Sequence, residues 1–332
     1  MKQDFDETPQ KIRSARRTIA DGLHLYTGNF RRIFRATWAP ALVCAIVSAF
    51  YYQMSAAAMS QLLQTAAQAA MAPAAQAGMG AAAAQTAMAP AGATMQQTLM
   101  LSALSLLSAI VTLVLMSYVF RILTTHRSEG AIPYPTRLVT RPDGPALVRS
   151  LLVAVVWVAV AIVVTIVVAV PFALGAMRQS LTLVILAFVL MVVAMVFMLP
   201  LVYPTMRYLT TTDTRLFSSL GSGYGQGLRH WGYIFSVLFV MALLATIVLM
   251  VTTLPAIILL MAHMQSQAGA LMGDPLGMPS YMSWLSLLVY TLAAFIQTYV
   301  ILALFFPAYY MAGSIEQQEL SKAQAMTPSN DF

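Results

Sequence analysis

The stretch AAQAAMAPAAQAGMGAAAAQTAMAPAG, residues 66–92, decides the topology. It lies inside a charge-free run from 36 to 120, long enough for more than one membrane crossing, so counting it as a crossing or not sets the side of everything downstream. It contains no Leu, Ile, Val, Phe, Trp or Tyr. Leu, Ile, Phe and Val each favour insertion by about 0.3–0.6 kcal/mol at a helix centre, whereas Ala contributes little. Pro73, Pro90, Gly78, Gly80 and Gly92 interrupt a continuous helix, and the near-duplicates AAQAAMAPA at 66 and AAQTAMAPA at 83 mark a tolerant loop. Short Ala-rich helices broken at the prolines are expected.

Working outward, 60% of the 332 residues are hydrophobic and 9% charged, against the quarter expected of a soluble protein. Charge-free runs also cover 150–177, 179–206, 231–273 and 275–315. Since about 20 apolar residues cross a bilayer, six spans fit, at roughly 37–57, 98–120, 151–175, 180–203, 232–262 and 283–311. These runs lack the alternation of barrel strands, and a lipid-facing backbone must satisfy its own hydrogen bonds, so the expected fold is all-α and polytopic. It divides into an N-terminal segment, 1–36, a six-helix domain, 37–311, with an Ala/Met/Gln-rich loop at 58–97, and a tail, 312–332. The lone Cys44 permits no internal disulfide. Eight Lys or Arg precede the first span over more than 30 residues, unlike a cleavable signal, so the first span is expected to stay as an anchor.

With six spans and both termini inside, 17 of the 18 Lys and Arg fall on the inner side and only Arg178 outside. That bias obeys the positive-inside rule and places the alanine-rich stretch outside the membrane on the far face. Counting that stretch as a span would carry the basic loop around Arg127, Arg137 and Arg141 across the bilayer.

Internal echoes support three in-out-in hairpins related by an axis along the membrane normal. RILTT at 121 matches RYLTT at 207, TRLVT at 136 matches TRLFS at 214, and Pro200-x-x-Tyr203 matches Pro307-x-x-Tyr310. Gly28 with Arg31, Gly144 with Arg149 and Gly227 with Arg229 precede the odd spans. Recurrence of Arg, Tyr and Thr at any helix end accounts for the same echoes. Mitochondrial carriers also have three two-helix repeats, but they need an acidic residue in the odd helices, and the spans here contain none.

Ile12, Ile19, Leu23, Tyr26, Phe30 and Ile33 recur at helical spacing, with Arg13, Arg16, Arg17, Arg31, Arg32 and Arg35 largely elsewhere and a break near Gly28-Asn29. This basic amphipathic segment is expected in the inner interface, its stripe in the acyl boundary and its arginines near anionic headgroups. A partner protein's groove is the rival reading. Nucleic acid is not indicated, because the positive-inside bias explains the high pI and no binding motif accompanies it. Trp38, Tyr118, Arg121, Tyr203, Arg207, Trp231 and Tyr310 are expected as membrane-interface anchors.

The entries GNFRRIF, 28–34, and GLRHWGYIF, 227–235, resemble the six-helix bacterial membrane domains of which some are fused to glycerophosphodiester phosphodiesterases. The resemblance implies a six-helix membrane fold. No phosphodiesterase domain accompanies it here, so it carries over no catalytic residue.

Chemistry-bearing patterns are sparse. No ionisable side chain of the kind that couples protons or ions lies inside a span, and Thr165, Thr246, Thr252, Thr253 and Gln297 read as interhelical hydrogen-bond groups. Pro40, Pro171, Pro200, Pro204, Pro255 and Pro307 are expected helix kinks. Met261, His263 and Met264 form the tightest grouping of soft Cu(I) ligands, a weak pattern in a chain rich in Met throughout. GSGYGQG, 221–227, lacks the Lys-Ser/Thr of a phosphate loop and reads as a flexible cytoplasmic turn. No catalytic arrangement and no cofactor site emerge. The function that fits is a non-enzymatic accessory, scaffold or lipid-interacting component of a bacterial cytoplasmic (inner) membrane, with lipids and other membrane proteins as partners. The alternative is a transporter or exporter of an apolar or amphipathic small molecule.

Overall fold

The computed structural model describes residues 10–71, 95–132, 144–211, 215–271, 279 and 281–326. Among these there is no strand, and the chain is an all-α polytopic membrane protein. In chain order the helices are α1 (Ala15–Gly28), α2 (Phe30–Met71), α3 (Met95–Glu129), α4 (Gly144–Met177), α5 (Leu181–Met198), a 3-10 turn (Leu199–Leu201), α6 (Val202–Thr210), α7 (Leu216–Arg229), α8 (Trp231–Leu271) and α9 (Met282–Met326). Six stretches are long and apolar enough to cross a membrane: Phe30–Ala56, Gln96–Glu129, Gly144–Met177, Leu181–Thr210, Trp231–Ser266 and Met282–Ala325.

The helices outrun the spans read from hydropathy. At 45 residues, α9 has more than twice the roughly 20 that a bilayer needs and takes in most of the segment read as a tail, 312–332. Likewise α2 runs on through the Ala/Gln-rich residues to Met71, so the start of the 58–97 loop is the end of the first spanning helix and not a separate short one. The high helix propensity of Ala carries it there. Residues 72–94 of that loop, and TRLVT at 136, lie outside the described residues, and 95–97 already belong to α3.

Most of these prolines lie within continuous helix. The chain stays α-helical through Pro40, Pro171, Pro255 and Pro307, and Pro204 falls in the first turn of α6. Only Pro200 coincides with a change of helix type, the 3-10 turn before α6.

The fold clusters into two units. One comprises the described parts of Met1–Trp38, Leu113–Thr246 and Ile301–Phe332; the other, those of Ala39–Thr112 and Ile247–Val300.

In the first unit, α1 followed by α2 and α7 followed by α8 repeat one motif. Each opens with a 14-residue helix, ended at Asn29 or His230, whose backbone N–H bonds back to the last turn, and the long helix starts at the next residue. A constant offset of 201 positions relates them: Gly22 corresponds to Gly223, and Ile33 to Ile234, both fully buried. The docking surface is equivalent too. A Cβ on Gly22 would lie 2.6 Å from Pro307 Cα, and one on Gly223 would lie 2.7 Å from Pro204 Cβ. Pro307 therefore corresponds to Pro204, a different register from the Pro-x-x-Tyr echo, which paired it with Pro200.

GSGYGQG is helix, not turn, because its glycines are placed for packing. Gly223 and Gly227, one helical turn apart, face Pro204 and Pro200, while Gly221 and Gly225 meet nothing within 4 Å. Close approach of the helix axes is what the missing side chains make room for.

Also in this unit, α4 and α5 form a hairpin joined by Arg178–Ser180. Ser180 N–H bonds to Gly175 O (2.9 Å) and Gln179 N–H to Ala176 O (3.4 Å), a Schellman closure that puts Gln179 at φ 50°. Gly175 lets the two helices meet, since a Cβ there would lie 3.0 Å from Leu183 Cβ and Val184 Cγ2. Much of the hairpin's surface is apolar and uncovered, with Val155, Ile162, Ile166, Phe188 and Met195 all exposed. An exposed surface of that kind is what lipid solvates.

Candidate functional site

The polar residues of the first unit collect where α1, α6, α7 and the C-terminal parts of α3 and α9 meet. Arg13 is buried, its Nε donating to Asp21 Oδ2 at 2.7 Å, its guanidinium 4.8 Å from the Tyr310 ring centre, and its backbone N–H donating to Ser314 Oγ at 3.0 Å. Arg127 Nη2 donates to Glu316 Oε2 at 2.6 Å, and Nη1 reaches Thr210 Oγ1 at 3.5 Å. His126 Nδ1 lies 3.1 Å from the buried Tyr309 hydroxyl. One turn along α9 from Glu316, Glu319 meets His230 Nε2 at 2.9 Å and Lys322 Nζ at 3.0 Å. Tyr203 donates to Gln226 Oε1 at 3.1 Å, Arg207 reaches the same oxygen at 3.4 Å, and the Thr18 and Tyr233 hydroxyls are 2.6 Å apart. Arg149 donates to the backbone carbonyls of Tyr208 and Thr211, at the C-terminus of α6, where a cation also complements the helix dipole.

These positions revise the interfacial assignments. Arg13, Tyr203 and Tyr310 are protein interior, not headgroup anchors: Tyr203 and Tyr310 are each 1% exposed, and the Arg13 side chain is enclosed with its counter-charge. A desolvated guanidinium needs a partner, and Asp21, two turns along, supplies it. The buried face of α1 is Thr18, Asp21, Gly22, Leu25 and Tyr26, a stripe at i, i+3, i+4, i+7 and i+8 that is polar and small at its start and apolar toward its end. Of the stripe read from hydropathy, Tyr26 and Ile33 are buried, whereas Ile12 and Phe30 are exposed. Arg16, Arg17, Arg31, Arg35 and Trp38 are exposed, while Tyr118, Arg121, Arg207 and Trp231 are half-buried. Arg32 bonds the Ile132 carbonyl at 3.3 Å, and Trp231 bonds that of Val196 at 3.3 Å while stacking on Phe235.

Sequence reasoning missed the acidic half of this network. Asp21, Glu316 and Glu319 lie outside the spans, and their spacing to basic residues on other helices spans up to 189 positions, so only Asp21 and its neighbour Arg17, i and i+4 on one helix, were readable.

The second unit holds a cavity of about 140 Å³, lined by Gln53, Ala56, Leu259, His263, Pro279, Met282, Ser283, Ser286 and Tyr290. Of the candidate metal ligands, only His263 lines it. Met261 is exposed, because two residues along a helix turn a side chain by about 200°, to the opposite face. Met261 and His263 therefore lie on opposite faces of α8. Among the described residues no three His, Cys, Asp or Glu side chains gather as a metal site. Cys44, also in this unit, has its Sγ 3.6 Å from Thr112 Oγ1.

Compared with protein-family models, with curated proteins and with solved structures, the chain finds no match.

Proposed function

We propose that the chain is a non-enzymatic component of a bacterial cytoplasmic membrane, with both termini in the cytoplasm, that acts through its helical surfaces as a scaffold or lipid-interacting subunit. The supporting observation is how the ionisable groups of the first unit are used: Arg13 with Asp21 fastens the segment before α1 to that helix, and Arg127 with Glu316 and His230 with Glu319 tie remote parts of the chain to α9. Groups engaged in this way brace a frame, and the extended apolar face of the α4–α5 hairpin is left as the surface that meets lipid or another membrane protein. The exposed Arg16, Arg17, Arg31 and Arg35 near the start of the chain suit anionic headgroups. Purification in mild detergent tests this reading. It expects a specific lipid class or protein to accompany the chain, and repeated recovery of the bare polypeptide refutes it.

The cavity of the second unit favours an alternative, transport of an apolar or amphipathic small molecule. Vesicles reconstituted with the protein that show no substrate-dependent flux across a broad panel would rule that alternative out.

A further inference from the structure

The cavity of the second unit carries a polar signature that scaffolding does not call for. Tyr290 is 8% exposed and lines it, yet its hydroxyl makes no hydrogen bond to any described residue. That hydroxyl is not one of the fully enclosed polar atoms left without a partner, so it opens onto the cavity, where an occupant can hydrogen-bond to it. Gln53, which lines the same wall, likewise has no hydrogen bond among the described residues. Imidazole and hydroxyl groups of His263, Ser283 and Ser286 complete the polar lining, and Leu259, Met282, Ala56 and Pro279 supply the apolar remainder.

The chemistry of the lining restricts the occupant. It includes no Lys, Arg, Asp or Glu, so a charged group would lose its hydration without a counter-charge, which favours an uncharged one. Amide, imidazole and hydroxyl groups both donate and accept, which suits a ligand that does the same at several atoms. The volume, about 140 Å³, matches that of a cavity that takes up a six-carbon ring, so about six heavy atoms fit. From these constraints we infer that the cavity binds a neutral polyol of glycerol size, presented either as a free small molecule or as the terminal glycerol of a phospholipid headgroup. Tyr290 and Gln53 are its principal hydrogen-bonding partners. The inference does not depend on the scaffold reading.

The test uses the full chain in phosphatidylcholine nanodiscs. One arm measures binding of radiolabelled glycerol; the other measures retention of phosphatidylglycerol against phosphatidylethanolamine by native mass spectrometry. Saturable binding in the first arm identifies a free polyol as the source, and selective retention in the second identifies the lipid. In whichever arm is positive, Tyr290→Phe, which keeps the ring and removes only the hydroxyl, is expected to weaken binding about five- to tenfold, with Gln53→Leu similar. Trp284→Phe, on the same helix but not among the lining residues, is expected to leave it unchanged. Absence of saturable binding in both arms, or binding that Tyr290→Phe and Gln53→Leu leave intact, overturns the assignment and leaves the cavity to water.

Discussion

Helix α7 sets up an internal experiment with four alanine substitutions on one helix. Gly→Ala in a helix interior returns about 1 kcal/mol from propensity alone. At Gly221 and Gly225 nothing lies within 4 Å of the new methyl, so Gly221→Ala and Gly225→Ala are each expected to stabilise by up to that amount. At Gly223 and Gly227 the methyl would sit 2.7 Å from Pro204 Cβ and 2.6 Å from the Pro200 carbonyl oxygen, where ordinary contact begins at 3.4 Å. The helix must withdraw by about 0.7–0.8 Å from ring and backbone atoms that have little freedom to give way. Overpacking of this kind costs roughly 1–3 kcal/mol and loosens neighbouring contacts, so after the propensity gain Gly223→Ala and Gly227→Ala are expected to destabilise by up to about 2 kcal/mol. Unfolding in mixed micelles of SDS and a mild detergent, followed by far-UV ellipticity, reads the midpoint of each variant. The result that refutes the reasoning is four shifts of the same sign, since propensity alone does not distinguish alternate glycines.

Four further outcomes are expected. Asp21→Asn, which leaves the Arg13 guanidinium buried without its counter-charge, should destabilise by about 3–5 kcal/mol in the same titration, and Arg13→Met with Asp21→Leu should recover much of the loss. Gln179→Gly should raise the thermal midpoint in detergent, by about 0.5–1 kcal/mol equivalent, because Gln179 holds the left-handed position of a Schellman closure, where glycine is unstrained. Glu316→Gln should weaken the tie between α3 and α9 at Arg127 and lower the unfolding midpoint by about 1–3 kcal/mol, whereas Glu129→Gln, at an exposed helix end, should stay within about 0.5 kcal/mol. A reporter enzyme inserted at Gln76 should be active only on the far side of the membrane from the basic loops; activity in the cytoplasm would invert the topology proposed from charge.

The sequence alone determined the all-α membrane class and the approximate place of all six spans, because bilayer insertion is additive over about 20 neighbouring residues and needs no distant partner. It also marked the break at Gly28-Asn29, where α1 ends at Gly28 and Asn29 closes it, and it hinted at a repeat. The register of that repeat, the helix hidden in GSGYGQG and the burial of Arg13, Tyr203 and Tyr310 were decided by tertiary structure. Each depends on an element remote in the chain: Gly22 needs Pro307, Arg127 needs Glu316, and Arg13 packs on Tyr310 and Ser314. An arginine near an amphipathic helix reads the same whether it meets a headgroup or a buried carboxylate. Desolvation separates the two, and desolvation arises only when a second helix closes over the side chain.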